Sequence, residues 1–245
     1  MMWIWILPGF SLFSVLLFVF LNKQLKRKKP SLKIDEIANL PTNKEYAYTF
    51  LNLGVFGIIG AFMDYAQTND LLRLEPIYTL EELNWWFLIV SVFICLGIHD
   101  IYFYFSHRLL HVPFLYKKVH TIHHKSTNPN PWTAFSFHPL EGVIQIGIVP
   151  LLAIILPIPE LGLIIFTLVM SLLSVYGHCG YELRAEKWKG FEVFNTALHH
   201  QQHHQLVRYN FGIYLSIWDK LFGTFSPSYD KSLKQLIAKN KEAKS

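Results

Sequence analysis

Eleven of the twelve histidines in this chain fall between positions 107 and 204. Their spacing is that of metal ligands. His107 and His111 stand at i and i+4 in HRLLH. His120, His123 and His124 form H-x-x-H-H, and His200, His203 and His204 repeat that pattern with His199 just before. On a helix, residues three and four apart share a face, so each group can aim two or three imidazoles at one point. Neutral imidazole is the commonest protein ligand for mid-to-late first-row metals. These eight histidines exceed the four ligands of a tetrahedral zinc. The count therefore calls for two metals, or one metal with a large outer shell. A lone H-x-x-H-H could be core packing; two copies and an i,i+4 pair are a stronger signal.

Other polar residues near these groups have candidate roles. His178, in GHCGYE at the end of an apolar run, is a ninth candidate ligand arriving from a fourth direction. His99 lies within an apolar run, where a hydrogen-bonded structural role and a ligand role are both open. His138 in FHPLE suits an outer-shell or structural role. Asp100, Glu141, Glu182, Asn195 and His199 lie close enough in sequence to orient imidazoles, although each acid or amide could instead cap a helix or meet an arginine. HRLLH has arginine where a zinc peptidase needs glutamate. No G-x-S-x-G, phosphate loop or dinucleotide fingerprint occurs.

The elements that must position these side chains are membrane helices. Residues are 52% hydrophobic and 16% charged, against about 25% charged in a soluble domain. Trp3 to Leu21 is an uncharged apolar run of 19 residues, about 28 Å as a helix and long enough for a bilayer core. It lacks the basic start and small-residue cleavage site of a signal peptide, so it reads as a retained helix. Lys23, Lys26, Arg27, Lys28, Lys29 and Lys33 follow and mark a cytoplasmic side. A second span covers about 46–65. The loop 67–84, with Asp70, Glu75, Glu81 and Glu82 against Arg73, suits the opposite side. Trp85 and Trp86 open a third span over about 85–105 as an interface anchor. The stretches 143–157 and 160–178, parted by Pro157 and Pro159, predict a hairpin whose first arm is short for a full crossing.

Hydropathy and Lys/Arg bias alone thus put His107–His124 and His178–His204 on one side, the cytoplasmic one. The fold class expected is all-α: a multi-pass integral membrane bundle with a cytoplasmic histidine-rich cap. Residues 1–84 would form the first spans and loops, 85–228 the catalytic unit, and 229–245 a polar basic tail. The net charge of +5 sits beside apolar runs, which favours anionic lipid headgroups over nucleic acid. Cys95 and Cys179 form no C-x-x-C and read as reduced buried thiols.

The stretch HDIYFYFSHRLLHVPFLYKKVHTIHHKSTNPNPWTAFSFHPLE, with GHCGYE, HHQQHH and NFGIYLSIWDKLFGTF after it, resembles the fatty acid hydroxylase / sterol desaturase superfamily over roughly 99–225. The resemblance implies a non-haem di-iron centre held by histidines, with O2 as co-substrate, that hydroxylates or desaturates a sterol or fatty acyl chain. Carried onto this chain, the ligands are His107, His111, His120, His123, His124, His200, His203 and His204, with His178 next. HPLE leans towards the sterol-type branch. No fused haem-binding domain is evident, so electrons are expected from a separate protein, either a haem protein or a ferredoxin with its reductase. An unactivated C–H bond needs an oxidant that side chains cannot supply. The competing classes are a membrane-surface zinc hydrolase, with Glu182 as the nearest candidate base, and a non-catalytic metal-binding membrane protein.

Overall fold

The computed structural model describes residues 1–35, 40–75, 83–183 and 193–242. Glu81 and Glu82, part of the acidic loop argument, and the last three residues of the expected tail lie outside the described residues. Four helices are long and apolar enough to cross a bilayer: α1 (Trp3–Lys28), α2 (Asn43–Thr68), α3 (Trp85–Leu110) and α6 (Glu160–Gly177). Between α3 and α6 lie α4 (Pro139–Ile146) and α5 (Ile148–Ile155); α7 (Ala197–Leu206), α8 (Ile217–Leu221) and α9 (Tyr229–Glu242) follow. The only strands among the described residues are a parallel pair of two-residue segments, Leu74–Glu75 with Ile158–Pro159. The chain is a helical multi-pass membrane protein.

Three of the four long helices begin at a satisfied cap. Thr42 and Glu45 close a capping box on α2, and the Asn84 side chain accepts from Phe87 N–H at 3.0 Å on α3; such caps stabilise by about 1 kcal/mol each. α1 takes its cap from a neighbour. Asp64, at the far end of α2, accepts from the N–H groups of Met2, Trp3 and Ile4 at 2.7–3.1 Å. That contact makes α1 and α2 antiparallel. Gly60 lets the two backbones meet, because a Cβ there would sit on the Trp3 carbonyl. Large apolar residues remain exposed along the outer faces, among them Trp5, Phe13 and Phe20 on α1, Ile58 and Phe62 on α2, and Trp86, Phe93 and Phe105 on α3. In water such a belt would be unfavourable; in a bilayer it is the lipid-facing surface.

The hairpin arm that looked too short does traverse the bundle. It starts earlier than hydropathy suggested, at Pro139, where the His138 ring caps α4 by accepting from Leu140 N–H at 3.1 Å. At its other end Ala153 C=O accepts from Arg73 N–H, and Glu160 accepts from Trp3 Nε1–H at 3.2 Å beside the α1 start. α6 then returns, so α3 and α6 both finish at the histidine end. Asn22 near the end of α1 donates to Cys179 C=O at 2.8 Å, and Glu182 N–H donates to Leu32 C=O. The basic cluster after α1 and all three histidine boxes therefore share one end of the bundle.

α2 also braces the chain after the second box. Its Glu45 carboxylate accepts from Ser126, Asn130 and Thr133 at 2.7–2.9 Å. About two turns further along, the Asn52 amide donates to the carbonyls of Phe135 and Phe137 at 3.1 and 2.7 Å.

Candidate metal centre

The histidines meet in two groups. His107, His111, His120, His124 and His203 form one; His123, His178, His200 and His204 form the other, and within each the candidate ligand atoms lie within 4.8 Å of one another. His107 sits on the last turn of α3, and His111 follows as its C-cap. His120 ends a π-helical turn over Tyr116–His120, and His123 and His124 lie on the single turn Thr121–His124 that follows. The wider π turn lets adjacent residues diverge: His120 and His124 enter the first group while His123 enters the second. α7 divides in the same way, sending His203 to the first and His200 and His204 to the second.

The facing nitrogens have the separations that a metal imposes. His120 Nε2 lies 3.2 Å from His107 Nε2 and 3.1 Å from His124 Nε2, which in turn lies 3.1 Å from His203 Nε2. In the second group His178 Nε2 lies 3.2 Å from His123 Nε2 and 2.9 Å from His200 Nε2. Two ligands at right angles on a metal about 2.1 Å away would be about 3.0 Å apart. His111 Nε2 and both ring nitrogens of His204 are buried with no hydrogen-bond partner among the described residues, a costly state for nitrogens that no metal satisfies.

The outer nitrogens fix the tautomer. His107 Nδ1 meets Phe211 C=O at 2.9 Å, His203 Nδ1 meets Tyr209 C=O at 2.6 Å and His178 Nδ1 meets Ser174 C=O at 2.7 Å. His120 Nδ1 meets Glu141 Oε1 at 2.8 Å. A carbonyl can only accept, so the ring must donate from Nδ1 and turn the Nε2 lone pair inward. Burial, and then the neighbouring imidazoles, push His111, His120, His123, His200, His203 and His204 below the usual histidine range. Burial takes His124 down to about 3 and His178 to about 4. These rings are neutral at pH 7, the form that binds metal.

An apolar cavity of about 630 Å³ opens onto both groups. His107 and His120 reach it from the first, and His123, His178 and His200 from the second; Phe93, Leu96 and Met170 line it within the membrane helices.

Of the outer candidates, Glu141 touches a histidine of the centre through His120. Asp100 turns elsewhere, accepting from Trp218 Nε1–H at 2.7 Å and from the N–H groups of Tyr214 and Leu215; it pins residues 214–218 to α3. His99 Nδ1 pairs with the Tyr214 hydroxyl at 2.7 Å, away from both groups. Glu182 accepts from Leu198 N–H at 3.2 Å near the start of α7. His199 Nε2 lies 3.4 Å from Asp219 Oδ2, on the side of α7 away from the centre. The Asn195 amide lines the cavity with no partner among the described residues. Sequence reasoning assigned no role to Asp219, although WDKLF was in view. Its carboxylate accepts from Phe211 and Gly212 N–H at 2.8 and 2.9 Å and so holds the carbonyl that braces His107. Burial would raise the Asp219 carboxyl, but His199, Gly212 N–H and the Thr224 hydroxyl together hold it below the usual range.

A membrane bundle whose one end gathers nine histidines, eight of them buried, around a largely apolar cavity defines a class: integral membrane proteins with histidine clusters that could hold metal. The chain belongs to the fatty acid hydroxylase family, whose model matches residues 92–224, more than half of its length. It is 30% identical to a Delta(7)-sterol 5(6)-desaturase of Aspergillus fumigatus over 60% of this chain and 51% of that protein. It is 29% identical to a lathosterol oxidase of Homo sapiens over 66% and 51% respectively, and 27% identical to a Delta(7)-sterol 5(6)-desaturase of Leptosphaeria maculans over 65% and 45%. The chain spans about half the length of these curated relatives. No solved structure matches it significantly.

Proposed function

We propose that the chain is an O2-dependent lipid oxidoreductase with two irons, one in each histidine group, and that it desaturates or hydroxylates a sterol. One observation carries this reading: two groups of converging neutral imidazoles open onto a single apolar cavity that continues between the membrane helices. His107, His111, His120, His124 and His203 would hold one iron; His123, His178, His200 and His204 would hold the other. Iron bound there supplies the activation of O2 that side chains cannot. The chain's own residues do the rest. Carbonyls and Glu141 keep the Nε2 lone pairs inward. The phenylalanines and Met170 exclude water and admit a lipid from the bilayer. The names of the sterol-acting relatives support the substrate class.

A cytoplasmic histidine end is supported by its sharing an end with Lys23–Lys33; a separate haem protein or ferredoxin would deliver electrons there. A zinc hydrolase is disfavoured, since Glu182, its candidate base, is committed to Leu198 N–H. The test is iron content and product analysis of the purified protein beside a His123→Ala variant. About two irons per chain, and conversion of a Δ7-sterol that needs both O2 and a reductant, are expected from the wild type. Full iron in His123→Ala, or zinc that persists after iron reconstitution, would overturn the reading.

A further inference from the structure

The cavity is lined mainly by apolar side chains, with the histidines and a few other polar residues, among them Ser171, Asn195 and Tyr214, at its wall. Phe194 and Leu215 form an antiparallel bridge, and Asn195 N–H donates to Tyr214 C=O at 2.8 Å. Asn195 and Tyr214 are therefore directly opposite one another, with Cβ atoms about 5 Å apart on the same side. Both side chains line the cavity. The Tyr214 hydroxyl is fixed by His99 Nδ1 at 2.7 Å, one bond of the three that a phenol can make. Asn195 Nδ2 and Oδ1 are both buried and neither has a hydrogen-bond partner among the described residues. Room at the amide depends on Gly212, because a Cβ there would come within 3.0 Å of Asn195 Nδ2.

A buried amide with donor and acceptor both unmet is costly. A ligand group that both donates and accepts removes that cost, and a hydroxyl is the smallest such group. Charged headgroups are disfavoured, since no lysine or arginine is among the described residues lining the cavity and an unpaired charge would be buried there.

We propose that Asn195, with Tyr214 beside it, binds the hydroxyl of a neutral sterol substrate and so selects a hydroxylated lipid over its deoxygenated counterpart. This rests on the lipid-oxidising reading above and assigns the polar end of the substrate. Sites that hydrogen-bond a substrate hydroxyl discriminate strongly against analogues lacking it, because the site's own groups are then left unpaired.

The experiment compares a Δ7-unsaturated 3β-hydroxysterol with its 3-deoxy analogue on the full-length, iron-loaded protein in lipid nanodiscs. Binding to wild type should favour the hydroxysterol by about tenfold or more. Asn195→Leu should bring that ratio near one by weakening hydroxysterol binding alone. Tyr214→Phe, which removes one oxygen and keeps the ring, should narrow the ratio partway, with KM for the hydroxysterol rising more than kcat falls. Equal binding of the two sterols by wild type, binding of neither, or an undiminished ratio in both variants would overturn the assignment. If Asn195→Leu does not fold, the wild-type ratio and Tyr214→Phe decide the matter. Failure of the oxidase reading has a different signature: no bound iron and no oxidised product, whatever the binding ratio.

Discussion

The two histidine groups share the turn at 116–124 and α7, but one is completed from the end of α3 and the other from the end of α6, and they are braced differently. In the five-membered group, His107, His120 and His203 each have Nδ1 held by an oxygen, one of them the carboxylate of Glu141. In the four-membered group His178 alone has such a bond among the described ones; His123 Nδ1 and both nitrogens of His204 lack a well-formed partner, as do His124 Nδ1 and His111 Nε2 in the first group. Exposure to the cavity runs the other way. His123, His178 and His200 line it, against His107 and His120 from the first group. Ligands fixed from behind hold a metal tightly, since outer-shell partners are worth about 10–100-fold in affinity. The first group is thus the more firmly braced of the two, and the second supplies more of the cavity lining.

The largest effect should come from separating the groups. His203→Ala and His204→Ala should each leave about one iron per chain and abolish oxidation, while the protein still inserts in the membrane; elemental analysis checks this. Loss of both irons in either variant would show that the groups load as one unit and would break the comparison. Next, a strong chelator should strip the wild type in two phases. His204→Ala, which retains only the braced group, should lose its iron with the slower phase, read as iron remaining against time.

Glu141→Ala should weaken metal retention by about 10–100-fold, with Glu141→Gln milder because its amide oxygen still accepts from His120. That loss should fall on the first group. The smallest effect is expected at Asp219, which acts on His107 only through Phe211. Its carboxyl is depressed in the fold, so its stabilisation is present above the unfolded value of about 4 and is lost as pH falls through the folded value. Asp219→Asn should lower stability at pH 7 and flatten the acid limb of a thermal denaturation series below about pH 4. An unchanged acid limb would remove Asp219 from the bracing of the first group.

Much of this was legible in one dimension. Apolar length and Lys/Arg bias located the long spans, because a bilayer constrains helix length and flank charge whatever the tertiary fold. The i, i+3, i+4 spacing gathered the histidines, because helical periodicity is local. Hydropathy began the short hairpin arm too late, since His138, Pro139 and Glu141 are polar or helix-breaking locally yet form a capped first turn whose Glu141 is buried against His120.

What belongs to the sequence by itself, then, is the membrane architecture, the family and the supply of imidazoles. Tertiary structure decided how those imidazoles divide. His123 and His124 are adjacent in the chain and enter different groups, because a π turn before them and α7 across from them set the direction of each ring. It also decided that Asp100 serves the backbone of residues 214–215 and Trp218 rather than an imidazole. Asn195 was left facing the cavity unpaired. Which partner a polar group finds depends on segments more than a hundred residues away in the chain for Asp100, and no local pattern encodes that distance.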